Sequence, residues 1–260
     1  MKLNKTLDLV SAMYYCIIRG KSKKYTNRKE NIMLTEKEYL EQYNPNDFER
    51  PSVAVDLLVF TIEDDRLKTV LVEREEHPFK NKLSLPGVFV GIKETLEDAT
   101  VRGIQEETGL KDIYFEQLYT WGDVDRDPRM RIISVSYIAI VDCAQINLSA
   151  GKRTVSAALY DVDELLASDT ELAFDHKKII QYGRERIRNK VDYSPIAFEF
   201  LPEEFTLPAL QRVYEIILDK PLYKAGFRRK IAPMIVETDR MTSGDAHRPS
   251  RYYRQKKDVK

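Results

Sequence analysis

Between Leu83 and Leu110 the chain runs LSLPGVFVGIKETLEDATVRGIQEETGL, and this stretch restricts the fold more than any other. It predicts a short apolar strand, a glycine-containing loop and an acidic helix ending at Gly109. Thr95 and Asp98 have the spacing of a capping box, and Gly109 stands where a helix takes a C-terminal glycine cap. Positions 103, 106 and 107 are related by three and four residues, so they leave the helix on one face. Glu106 and Glu107 are adjacent acids there. Hard carboxylate oxygens beside a loop that offers backbone carbonyls are the donors Mg²⁺ uses when it also holds a diphosphate.

The segment resembles the Nudix box, G-x5-E-x7-R-E-U-x-E-E-x-G-U, where U is apolar. Glu94, Arg102, Ile104, Glu106, Glu107, Gly109 and Leu110 meet seven of its nine specified positions, after a typical Leu85-Pro86-Gly87 lead-in. The resemblance implies an α/β/α sandwich around a mixed sheet. It also implies Glu94, Glu106 and Glu107 as residual catalytic residues, with Glu106 and Glu107 holding weakly bound Mg²⁺. Two positions depart from the pattern. Val88 replaces the first glycine, and a β-branched residue resists backbone geometries that glycine tolerates. Gly103 replaces the first glutamate of the R-E-U triplet, which removes a carboxylate and places glycine inside a helix at a cost of about 1 kcal/mol relative to alanine. Hydrolysis is therefore expected to be absent or very slow, with Gly103→Glu as the restoring change.

Upstream, Ser52–Thr61 and Leu67–Arg74 are rich in branched apolar residues around Glu63-Asp64-Asp65, the pattern of a hairpin. Tyr114–Gly122, Arg131–Val141 and Thr154–Tyr160 are further strand candidates. Nudix proteins commonly place a basic residue near Arg74 to meet ligand phosphates, although a solvated strand end fits as well. Arg102, Arg126 and Arg129 complete the candidate ligand-binding set. The polar loop holding the last two, Asp123 to Arg129, suits gripping a ligand or sealing a dimer. Leu172, Ile179, Ile180, Gly183 and Ile187 follow helical spacing to about Asn189. His176 lies on that helix, within a Leu172–His176 segment that resembles Nudix-type regulators, but a lone helical histidine is more often structural than catalytic.

The formal net charge is zero yet unevenly placed. Residues 1–32 carry eight Lys/Arg against two Asp/Glu, and residues 205–260 carry thirteen against six, so the middle of the chain is acidic. Polyanion binding would be local to the basic C-terminal end. The two cysteines, Cys16 and Cys143, form neither a disulfide framework nor a metal-site spacing, which points to a reducing compartment and a cytoplasmic protein. Val10–Ile18 is too short an apolar run to span a membrane and lacks a small-residue cleavage site. Residues 1–34 form an N-terminal extension, with Met1 or Met33 as the start. A helix docked through Met13, Tyr14 and Ile17 is the alternative use of that segment. A capped helix follows from Thr35.

Tyr193–Glu204, with Pro195 and Pro202, is the expected junction between a unit at 35–193 and a second at 194–260. Thr206 caps a helix bearing Leu207, Leu210, Val213, Tyr214, Ile217 and Leu218 on one face. A second short helix can bury Phe227, Ile231 and Met234 and turn Lys224, Arg228, Arg229 and Lys230 outward. Ile235–Thr238 and Arg251–Arg254, around Ser243-Gly244-Asp245, resemble a small hairpin. Helix, turn, cationic helix and hairpin make a winged helix-turn-helix, whose second helix enters the major groove. The alternative is a helical subdomain with a solvated basic face. Phe205-Thr206-Leu207, Leu210-Gln211, Val213-Tyr214-Glu215, Phe227-Arg228-Arg229-Lys230 and His247-Arg248-Pro249 resemble, in this order, the C-terminal domain of the NrtR family, repressors of NAD biosynthesis and related genes. Gly226 departs from the asparagine expected before Phe227. The resemblance implies a homodimeric transcription regulator that senses ADP-ribose or a related effector in its Nudix domain. It further implies an operator of double-stranded DNA, contacted by Lys224, Arg228, Arg229, Lys230, Arg248, Arg251 and Arg254. The competing reading is a Mg²⁺-dependent ADP-ribose pyrophosphatase.

Overall fold

Apolar residues at every position but Asp56 from Val53 to Phe60 build the central strand, β1 (Ser52–Glu63). Val55, Leu57 and Val59 enter one core and Leu58 and Phe60 the opposite one, as the two-residue period of a strand requires when both faces are covered. In the computed structural model, which describes residues 35–110, 113–146, 148, 154–242 and 249–256, β1 turns at Asp64 and Asp65, both at positive φ. That conformation suits a two-residue hairpin, and the chain returns as β2 (Arg66–Arg74).

β3 (Leu83–Ser84) pairs with β2, and β4 (Gly87–Phe89) pairs with β1. β6 (Ile132–Ile140) runs parallel to β1 from Ser52↔Ile132 to Phe60↔Ile140. β5 (Tyr114–Trp121) lies antiparallel to β6, and β7 (Thr154–Asp161) antiparallel to β2. The sheet, ordered β3-β2-β1-β6-β5 with β4 on β1 and β7 on β2, is mixed as expected.

Residues 35–49 belong to a separate unit, in which α1 (Glu36–Gln42) starts from a Thr35–Glu38 capping box. In the main body, α2 (Leu96–Thr108) covers one face of the sheet, burying Ala99 and Ile104 among Val55, Leu57 and Val59. Its Thr95–Asp98 capping box is complete and Gly109 closes it at φ 71°. After α3 (Val162–Ala167), α4 (His176–Lys190) covers the other face with Ile179, Ile180 and Ile187. Mid-helix Gly183 is required here, because a Cβ would stand 2.0 Å from Leu58 Cδ2.

The C-terminal part has the expected order. β8 (Phe205–Thr206), α5 (Leu207–Leu218), α6 (Lys224–Ile231), β9 (Ile235–Met241) and β10 (Arg251–Gln255) follow one another, with a sheet ordered β8-β10-β9. Thr206 caps α5 through the Ala209 N–H at 3.3 Å. The junction differs from a simple proline-stiffened connection. Pro195–Phe200 form a 3-10 helix that buries Ile196, Ala197, Phe198 and Phe200, and these side chains fuse the α4 core with that of α5 and α6. Apolar burial, rather than proline rigidity alone, holds the two parts together. Residues 1–34, residues 243–248 with Arg248, and the Glu107 side chain lie outside the described residues. Among those described, no helix is long and apolar enough to cross a membrane.

Candidate functional site

A cleft of about 430 Å³ opens where α2, β4, the 123–130 loop and the start of α4 converge. It brings together Arg74, Arg102, Arg126 and Arg129 from separate segments, with Val88, Phe89, Glu106, Phe174 and His176. The four arginines do different things there.

Arg126 is the floor. Its side chain is only 4 % exposed. It donates to Asp56 Oδ2 at 3.0 Å and to both Asp175 oxygens at 2.7 and 3.0 Å. Burial disfavours its charge, but the two carboxylates outweigh this and raise its pKa. Asp56 Oδ2 also accepts from Ser134 Oγ at 2.6 Å. His176 lies alongside, its Nδ1 accepting the Leu85 N–H at 2.8 Å and its Nε2 3.6 Å from Asp56 Oδ1. Burial pushes the His176 pKa down, so the ring is neutral with its proton on Nε2.

Arg102 ties loop to helix. It pairs with Glu94 at 2.6 and 3.1 Å, reaches the Phe89 carbonyl at 2.9 Å and meets Glu106 at 3.3 Å. Glu94 also accepts the Gly91 N–H, and the Arg102 hydrogen bonds hold its carboxyl below the usual range. Among the described residues no group of three or more His, Cys, Asp or Glu could hold a metal ion. Glu94 and Glu106 face an arginine, and position 103 offers no carboxylate. The described donors thus do not form a divalent-cation seat.

Arg74 and Arg129 converge on the Phe174 ring, 4.9 and 5.8 Å from its centroid. Burial lowers the pKa of Arg74, and the Arg129 charge lowers it further. Asp127 offsets Arg129 through bonds of 2.7 and 3.0 Å. Phe174 has φ 55°, a conformation costly for an aromatic residue, and packs edge-on against Phe79. The geometry leaves a cationic, aromatic wall facing an open cleft, with chemistry suited to an anionic ligand carrying flat or apolar groups.

From this floor α4 runs to the winged helix. Arg184 donates to the Ile217 carbonyl at 2.6 Å and Arg188 to the Leu218 carbonyl at 2.8 Å. These are the end carbonyls of α5, which lack partners within the helix and favour a cation. Asp192, just beyond α4, meets Lys230 at 2.7 Å. Lys230 also lies over the Tyr214 ring. Lys224, Arg228 and Arg229 are exposed and make no ion pair among the described residues. Arg251 pairs with Glu237, and Arg254 pairs with Glu204 at 2.6 Å.

Sequence reasoning did not single out Asp56, Ser134, Asp127, Arg184 or Arg188. Asp56 and Ser134 left a signal, polar residues inside the apolar runs VAVDLLVF and IISVSYIAI. The other three sit in ordinary polar surroundings, and only their partners distinguish them.

Residues 51–183 match the family model of the NUDIX domain, and residues 197–255 match that of the NrtR DNA-binding winged helix domain. The chain is 32 % identical over 226 residues to the ADPR responsive transcriptional repressor NtrR of Acinetobacter baylyi, covering 85 % of this chain and 88 % of the relative. It is 42 % identical over 131 residues to an ADP-ribose pyrophosphatase of Methanocaldococcus jannaschii, covering 50 % of this chain and 72 % of that one. The crystal structure of Shewanella oneidensis NrtR complexed with a 27mer DNA is similar at TM-score 0.70 and 33 % identity, over 78 % of this chain and 93 % of that chain. The NUDIX domain of the same protein complexed with ADP ribose is similar at TM-score 0.54 and 34 % identity, over 59 % and 99 %.

Proposed function

Because this chain belongs to the NrtR family, Nudix proteins carrying a winged helix, we propose that it is a transcriptional repressor that reads ADP-ribose in its Nudix cleft. The observation that carries this reading is the wall of Arg74 and Arg129 over Phe174. Two guanidinium groups crowd one ring, and among the described residues only Arg129 has a carboxylate at hydrogen-bonding distance. A diphosphate placed there supplies the negative charge that Arg74 lacks and can also meet Arg129, and guanidinium groups bind such oxygens with paired hydrogen bonds.

The DNA half of the reading is supported by Lys224, Arg228 and Arg229, which α6 presents outward on a winged helix. The first turns of a recognition helix read base edges while neighbouring cations hold phosphates. A homodimer places two such helices on a palindromic operator. Its target genes belong to NAD or related nucleotide metabolism, and the protein works in the cytoplasm. α4 is the mechanical link, since one end contributes to the cleft floor and the other caps α5. Effector binding can shift DNA binding only as far as its affinity differs between the two states, typically by about 1–3 kcal/mol.

The pyrophosphatase reading draws on the 42 % identity in the Nudix half, but the described carboxylates do not assemble a cation seat. One experiment separates the readings. The protein is incubated with ADP-ribose and Mg²⁺ while its shift of operator DNA is followed with and without ADP-ribose. An ADP-ribose-dependent shift without consumption of the ligand is expected, and R74A and R129A should each weaken ADP-ribose binding in calorimetry. Robust turnover with no effect on DNA binding would overturn the repressor reading in favour of the enzyme.

A further inference from the structure

The two departures from the Nudix box meet in space. Gly103 is buried on α2 opposite β4, and a Cβ built there would stand 3.0 Å from Val88 Cγ2, 3.1 Å from Leu57 Cδ1 and 3.5 Å from Val88 Cγ1. Leu57 has no room to retreat, and Val88 can yield only toward the cleft it lines. Leu57 is 1 % exposed inside the core. Val88 is held by its ladder partner Val55, and branching at Cβ leaves valine few alternatives at χ1. The strand itself cannot withdraw toward β1, because it is already paired with it from Ala54↔Phe89 to Asp56↔Gly87, with backbone hydrogen bonds of 2.8 and 2.9 Å on either side.

We propose that Val88 and Gly103 are a matched pair, in which the valine methyl groups fill the volume that the glutamate side chain of the R-E-U triplet requires. The cation seat is then closed by packing as well as by the loss of a ligand, and each substitution holds the other in place. This deepens the reading of the cleft as a non-hydrolysing sensor and rests on it. A consequence is that G103E alone, the change that the sequence marks as restoring, does not rebuild the seat. Valine must also leave.

The pair can be tested without ADP-ribose or DNA, so its failure is distinguishable from failure of the repressor reading. In an ordinary helix interior Gly→Ala raises the melting temperature, because alanine loses less chain entropy on folding and packs no worse. Here G103A should lower it. In the V88A background, where both Cγ methyls are gone and only the Leu57 Cδ1 contact remains, the same G103A change should lower it by less or raise it. A rise in both backgrounds would show that no steric conflict exists, and an equal fall in both would show that Val88 is not its source. Either result overturns the proposal. Cation binding gives the second arm, read by electron paramagnetic resonance of free Mn²⁺. V88G/G103E should bind Mn²⁺ at least roughly tenfold more tightly than G103E, within the range by which supporting residues alter metal affinity. Equal affinity in the two variants, whether tight or absent, would overturn it as well.

Discussion

Arg126→Met separates a structural clamp from a ligand contact at the floor of the cleft. The guanidinium is 4 % exposed and is shared between Asp56 and Asp175, themselves 9 % and 8 % exposed at the side chain. Methionine fills comparable volume but leaves two buried carboxylates facing one another with no cation. Removing one partner of a buried ion pair costs about 3–5 kcal/mol, because the remaining charge is stranded rather than because the pair was worth that much. For a folded body near 200 residues, 1 kcal/mol moves the melting temperature by roughly 2–4 °C, so a fall of roughly 6–20 °C is expected. Scanning calorimetry with matched urea titrations gives the number, and adding Asp175→Asn should return part of it by deleting one stranded charge. A melting temperature within about 2 °C of the parent, together with abolished ADP-ribose binding, would refute the reasoning. Arg126 would then be a ligand contact.

Four further outcomes are expected from the same geometry. R228A/R229A should weaken operator binding and leave ADP-ribose affinity unchanged, with the log–log salt slope falling by about 0.9 for each phosphate no longer neutralised; an unchanged slope and affinity would remove α6 from the interface. R184A/R188A should reduce the factor by which ADP-ribose alters DNA affinity, since α5 loses the caps that tie it to α4. Paired titrations check this, because linkage requires that DNA change ADP-ribose affinity by the same factor. The folded-state pKa of His176 lies below its ordinary value of 6.5, so its contribution to stability is full above about pH 6.5 and declines as pH falls from there through the folded-state pKa. H176N, which can still accept from the Leu85 N–H, should flatten that part of the stability–pH curve, and a curve of unchanged slope would assign the acid sensitivity elsewhere. G183A should destabilise by about 1–3 kcal/mol or more in urea denaturation, as overpacking against Leu58 does, and a neutral result would mean that α4 has room to move.

Features that depend on neighbours along the chain were settled by the amino-acid order alone. Helix α2 with its Thr95–Asp98 and Gly109 caps, the β1–β2 hairpin, the apolar face of α5 and the cationic face of α6 are set by spacings of two to four residues. Such spacings are fixed by strand and helix geometry, so the Nudix box and the winged helix were legible before any fold was built. Folding in three dimensions added the rest. Arg126 looked like its loop companion Arg129, yet one is clamped into the cleft floor by Asp56, 70 residues away, while the other reaches the Phe174 ring of the wall. Arg184 and Arg188 had the appearance of surface charges on α4 until α5 brought its end carbonyls to them. Val88 and Gly103 appeared as two separate losses, and only the meeting of β4 with α2 makes them one packed unit. A periodic pattern tells which face a side chain leaves by. Whether that face meets a carboxylate, a carbonyl or a methyl group depends on segments brought together by burying the common core, and no local spacing records that encounter.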